Sequence, residues 1–97
     1  MATIVRTEIF AKWLKRLKDC RAKAIILNHI DNMESGKMGN TKPVGSGVYQ
    51  KKIDYGSGYR LYYCKHGMDL ILLLCGGDKS TQQADIDKAK EIKKVLR

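Results

Sequence analysis

From Val48 to Cys75 apolar and polar side chains fall into three runs separated by turn-forming residues, a pattern that predicts three consecutive strands. In the first run Ile53 is the clearest apolar residue, and in the second Tyr59, Leu61 and Tyr63 are the bulky set, all at odd positions. If the turn between Asp54 and Gly58 pairs residues whose numbers sum to an even value, these four share the core face. Lys52, Arg60 and Tyr62 then share the other. The third run, Met68 to Cys75, has apolar residues at consecutive positions, as expected of a strand covered on both faces, by the C-terminal helix or by another protein. Lys65-His66-Gly67 reads as the turn before it.

Helical periodicity flanks these runs. Ile4-Val5-Arg6 reads as a short edge strand and Thr7 as the cap of a helix whose apolar stripe is Ile9, Phe10, Trp13, Leu14 and Leu17. Asp19 caps a second helix with Ala22, Ile25, Ile26, His29, Ile30 and Met33 on one stripe, ending near Gly36. So short a joint predicts a helical hairpin. Glu34 to Gly47, with its glycines, one proline and no apolar period, reads as a loop. Ser80 and Gln83 have capping-box spacing and start a last helix with Ile86, Ala89, Ile92 and Leu96 inward. The expected fold is α+β: a short N-terminal strand, a helical hairpin packed on a small, twisted, mainly antiparallel sheet, and a C-terminal helix, in one domain over residues 1–97.

Charge changes the picture. Nineteen Lys and Arg against ten Asp and Glu give a formal net charge of +9, which points to a polyanion or an acidic protein as partner. Cys20, Cys64 and Cys75 have no metal-site spacing and read as reduced, structural thiols. No signal-peptide pattern opens the chain, and Leu70 to Cys75, the longest apolar run, is too short to span a bilayer, so no membrane association and a cytoplasmic location are expected. His29 lies on an apolar stripe and His66 at a turn, and both read as structural. The Gly76-Gly77 pair lacks phosphate-loop spacing. With no metal cluster, Cys/His dyad or carboxylate pair to nominate, neither a metal nor a small-molecule cofactor is expected.

What remains is a set of cations, Lys52, Arg60 and Lys79. A guanidinium grips two phosphate oxygens in a fork and holds the charge that builds on a phosphorane. A lysine crowded by other cations loses its proton more readily and can serve as a base. On RNA the substrate's own 2′-hydroxyl supplies the nucleophile. Tyr49, Tyr55 and Tyr62 are candidates for stacking on bases, and Lys37 and Lys42 are loop cations within reach of an anionic partner.

The order of elements, together with KPVGSGV, YGSGYRLYY and LLLCGGDKSTQQADIDKAKEI, resembles the RelE/ParE superfamily of bacterial toxins, and within it the HigB-like addiction-module killer proteins. The resemblance spans nearly the whole chain. It implies the toxin of a type II toxin–antitoxin module: a ribosome-dependent mRNA endonuclease, or mRNA interferase, that needs no metal and uses the RNA 2′-hydroxyl. The ParE-like alternative is a DNA gyrase inhibitor without nuclease activity, and a third possibility is an inactive antitoxin-binding module. By the resemblance Arg60 stabilises the transition state, Lys52 is the basic residue on the preceding strand with Lys51 as its neighbouring candidate, and Lys79 stands at the strand-to-helix junction. Lys51, Tyr55 and Tyr62 are the expected RNA contacts. The implied partners are mRNA on the ribosome and a cognate helix-turn-helix antitoxin. The tyrosine that RelE-type enzymes carry after that junction is absent, with Gln82 or Gln83 in its region, as is the His-containing tail of some HigB enzymes.

Overall fold

The computed structural model describes residues 2–96. Its elements are β1 (Thr3–Arg6), α1 (Glu8–Arg16), α2 (Cys20–Glu34), β2 (Thr41–Gly45), β3 (Val48–Ile53), β4 (Tyr59–His66), β5 (Leu70–Gly77), a 3-10 turn (Lys79–Thr81) and α3 (Gln82–Val95). The strands form one sheet in the order β1-β5-β4-β3-β2, with β1 parallel to β5 and the other neighbours antiparallel. This is the α+β arrangement that the periodicity predicts.

The alternation sets which face each side chain takes. Ile53 pairs with Tyr59 and Lys52 with Arg60, so the register across the 54–58 turn is the even-sum one. Ile53, Leu61 and Tyr63, joined by Ile71 and Leu73, pack against Phe10, Leu14, Ile26, Ile30 and Met33 of the helical hairpin. On the reverse face Val48, Tyr62, Cys64, Leu74 and Cys75 meet Ala89 of α3. A bulge makes this possible: Tyr62 opposes Cys75 while Tyr63 opposes Leu73, and the extra residue lets Leu74 and Cys75 both turn toward α3. Beyond it Gly76 lies under the Trp13 ring and Gly77 beside the Asp85 carboxylate, each so close that a Cβ would overlap. The glycine pair therefore lets helices approach both faces of the sheet end.

Thr7 and Asp19 cap as expected. Thr7 Oγ1 accepts from Phe10 N at 3.0 Å and donates to Leu74 O at 2.7 Å, tying α1 to the sheet. Asp19 Oδ1 accepts from Arg21 N and Ala22 N at 3.0 and 3.1 Å.

Three local expectations are corrected. The loop expected over 34–47 contains β2, which closes on β3 through Ser46-Gly47, both at positive φ (55° and 76°), the signature of a two-residue hairpin turn. An edge strand needs no apolar period, and Pro43 is tolerated there because only one side is paired. The turn placed at Lys65-His66-Gly67 falls later: Lys65 and His66 finish β4, Met68 is 99% exposed, and β5 begins only at Leu70. The Ser80–Gln83 capping box does not form. Asp78 Oδ1 instead accepts from Ser80 N at 2.9 Å, and Gln83 Nε2 reaches Asp87 Oδ1 at 3.2 Å.

Candidate anion-binding cleft

Lys52 and Arg60, opposed in register on β3 and β4, emerge on the α3 face of the sheet. Lys42 on β2 stands opposite Gln50 of β3, and Lys52 N donates to Asn40 O at 2.9 Å, which brings the start of β2 alongside. The first turn of α3 contributes Gln82. Asn40, Lys42, Gln50, Lys52, Arg60 and Gln82 together line a cleft of about 230 Å³.

Arg60 is the unusual member. It is only 6% exposed, its Nη1 donates to Gly58 O at 2.9 Å, and its buried Nε has no hydrogen-bond partner. Among the described residues the ion pairs are Lys12–Glu8 at 3.0 Å and Lys52–Asp54 at 3.6 Å, so no carboxylate answers the Arg60 charge. A guanidinium stays protonated at any physiological pH, and burying one without a counter-charge costs free energy that an anion in the cleft would offset.

The floor is held by a polar network. Gln82 Nε2 donates to Gln50 Oε1 at 2.9 Å, and Tyr62 OH donates to the same oxygen at 3.3 Å. Burial, with the Asp85 carboxylate adding to it and Arg60 opposing, pushes the Tyr62 phenol up to about 12, so Tyr62 is a neutral donor near pH 7.

The residues singled out from the sequence thus divide. Lys52 and Arg60 share the cleft. Lys79 flanks it: its backbone N donates to Ser57 O at 3.3 Å, and a methyl on Gly58 would lie 3.5 Å from Arg60 Nη1 and 3.7 Å from Lys79 Cβ. Lys51 and Tyr55 are not grouped with them, and Tyr62 lies beneath the cleft floor rather than in the cleft. Lys51 points to the hairpin face, is 1% exposed and donates from Nζ to Met38 O at 2.6 Å, with burial lowering its pKa. Tyr55 lies against the hairpin, its OH 3.4 Å from Asp19 Oδ2. Tyr62 is fully buried beneath α3, where no base can stack on it without displacing the helix. Tyr49 stacks on Tyr63, ring centroids 5.4 Å apart, on the hairpin face.

Asn40 and Gln50 are members that the sequence reading missed. Gln50 has the same strand parity as Lys52 and could have been placed by it; Asn40 could not, because its position follows from β2 pairing with β3. Among the described residues no three His, Cys, Asp or Glu side chains converge as a metal site would need, and no helix is long and apolar enough to cross a membrane.

No family model matches the chain. It is 44% identical over 93 residues to an uncharacterized protein of Haemophilus influenzae, an alignment covering 96% of this chain and 94% of that protein. The chain belongs to the same family as that protein.

Proposed function

We propose that this protein is the toxin of a type II toxin–antitoxin module, a cytoplasmic, metal-independent endoribonuclease that cuts mRNA on the ribosome. The single observation that carries the reading is Arg60: a nearly buried guanidinium with an unpartnered Nε, no carboxylate, and Lys52 directly opposite across one cleft. Its likeness to the RelE/ParE toxins, which rests on the motifs around these residues, supplies the substrate class.

In the reaction the ribose 2′-hydroxyl gives up its proton to water as its oxygen attacks the adjacent phosphorus. The bond to the 5′-oxygen breaks, that oxygen takes up a proton, and a 2′,3′-cyclic phosphate and a 5′-hydroxyl end result. Negative charge builds on the non-bridging oxygens as the phosphorane forms. The Arg60 guanidinium meets that charge from a low-dielectric position, where one hydrogen bond is worth more than in water. Lys52 and Lys42 add long-range attraction for the strand, and the start of α3 beside the cleft contributes the positive end of its dipole. A DNA strand lacks the nucleophile and is spared.

The test is induction of the protein in growing bacterial cells, followed by primer extension on total mRNA. Growth arrest with new 5′-hydroxyl ends is expected, and Arg60→Ala should remove both while the purified variant keeps its fold. Growth arrest with intact mRNA and inhibited gyrase would contradict the reading.

A further inference from the structure

The two buried-side carboxamides of the cleft, Gln50 and Gln82, have fixed polarity. Gln50, 3% exposed on β3, stands directly opposite Tyr62 of β4, and its Oε1 accepts both from Tyr62 OH at 3.3 Å and from Gln82 Nε2 at 2.9 Å. Turning the Gln50 amide over would leave the buried phenol proton without an acceptor, because Tyr62 OH bonds to no other group among the described residues. Both lone pairs of Gln50 Oε1 are therefore taken, and its Nε2–H2 end is the free one. Gln82 is the reverse: its Nε2 is held by Gln50, and Oε1 is its free end.

Neither free end is sealed in. Arg60 Nε is the buried side-chain nitrogen or oxygen without a partner among the described residues, so the unbonded Gln50 Nε2 and Gln82 Oε1 reach the surface of the cleft that both residues line. The cleft thus presents a fixed donor and a fixed acceptor on neighbouring side chains, among the cations Lys42, Lys52 and Arg60.

A phosphate answers the cations and the Gln50 donor, since its oxygens accept. It does not answer the Gln82 oxygen, which repels another acceptor and calls for a donor carried close to the phosphate. In RNA the 2′-hydroxyl beside a 3′-phosphate is such a donor, and in DNA a C–H takes its place.

We propose that Gln82 is the residue by which the cleft tells RNA from DNA: its Oε1 accepts from the ribose 2′-hydroxyl while Gln50 Nε2 and the Arg60 guanidinium hold the neighbouring phosphate. This rests on the reading of the cleft as an RNA site and deepens it, because DNA is then refused at binding as well as for want of a nucleophile. When a deoxyribose enters, the Gln82 oxygen loses its water and gains no partner. Gln82 is half-buried, so the discrimination is about tenfold, short of what a fully sealed site reaches. The fold places this oxygen: Gln82 is the first residue of α3, and its bond to Gln50 ties the start of the helix to β3.

The experiment is calorimetric titration of the full chain with uridine 3′-monophosphate, its 2′-deoxy analogue and its 2′-fluoro-2′-deoxy analogue, which keeps a ribose-like pucker but has no proton to donate. None of the three carries a leaving nucleoside, so binding is read without cleavage. The ribonucleotide should bind about tenfold tighter than either analogue. Gln82→Met should bring its affinity down to theirs while changing theirs by about threefold or less, whereas Lys42→Ala should weaken all three together and keep the ratio. Equal binding of the ribo and deoxy forms by the unaltered protein, a 2′-fluoro form as tight as the ribo form, or a preference that survives Gln82→Met overturns the inference. So does tighter binding of N-acetylphosphoserine methylamide than of uridine 3′-monophosphate, which would make Gln82 a reader of a phosphopeptide amide. A ribose preference that holds while mRNA stays uncut contradicts the nuclease reading alone; cut mRNA with no ribose preference contradicts this inference alone.

Discussion

Lys51 and Arg60 are both buried cations of the central strands, but their surroundings treat them oppositely. Lys51 faces the helical hairpin, where its ammonium is held by the Met38 carbonyl and the loop at Gly39 closes over it. Arg60 faces α3, with one nitrogen tied to Gly58, its buried Nε without a partner, and its side chain lining a cleft. The difference comes from how each face is covered. Two helices with large apolar side chains seal one side of the sheet, while a single helix, whose fully buried residue is Ala89, crosses the other. A face sealed that fully satisfies its polar groups internally; a face covered by one short-sided helix leaves a cleft beside Arg60. Stability is concentrated on the first and binding capacity on the second.

The largest expected effect probes that division. Phe10→Ala should lower the unfolding free energy by about 3–5 kcal/mol, since it empties a fully buried ring site, whereas Ile92→Ala on half-buried α3 should cost about 1–2 kcal/mol. Urea denaturation measures both, and equal losses would erase the distinction between the faces. Helix caps sharpen it at smaller scale. Thr7→Ala removes both the α1 cap and a bond to Leu74 O, for a loss of about 1–2 kcal/mol. Thr81→Ala should cost about 0.5 kcal/mol or less, because Thr81 bonds to the Asp85 side chain and makes no cap bond to α3.

The smallest effect concerns protons. Burial, and then the Lys51 charge, lower the His29 pKa below its ordinary 6.5. The unfolded chain therefore takes up this proton first, so His29 contributes its full stability above about pH 6.5 and loses it as pH falls through the lowered folded value. Lys51→Met should move the His29 pKa part of the way back up, leaving the part due to burial, as an NMR titration of the imidazole would show. An unmoved His29 would mean that Lys51 does not act on it.

The parity of Ile53, Tyr59, Leu61 and Tyr63 was enough to assign both faces of the central hairpin, and with them the shared position of Lys52 and Arg60. Alternation carries that information because both strands of the hairpin are fully paired and flank the core. It was overridden for Lys51, whose polarity hid a core-facing odd position, and although it put Tyr62 on the right face, it could not show that α3 covers that residue. β2 was illegible because an exposed edge strand has no apolar pattern to read, and Asn40 was lost to the cleft with it, while Lys42 was read only as a loop cation. The α3 start was misplaced because Asp78 outcompetes Ser80 for the free N–H groups of the 3-10 turn.

The central claim is that the Arg60 guanidinium lines an anion site with its Nε–H unpartnered. Nitrogen-15 NMR resolves the arginine Nε–H directly. Titration with inorganic phosphate, and then with an RNA dinucleotide whose nucleophilic ribose is replaced by deoxyribose, should shift the Arg60 Nε–H signal saturably, and more strongly for the dinucleotide. A signal that stays in place while exposed lysines respond would contradict the account.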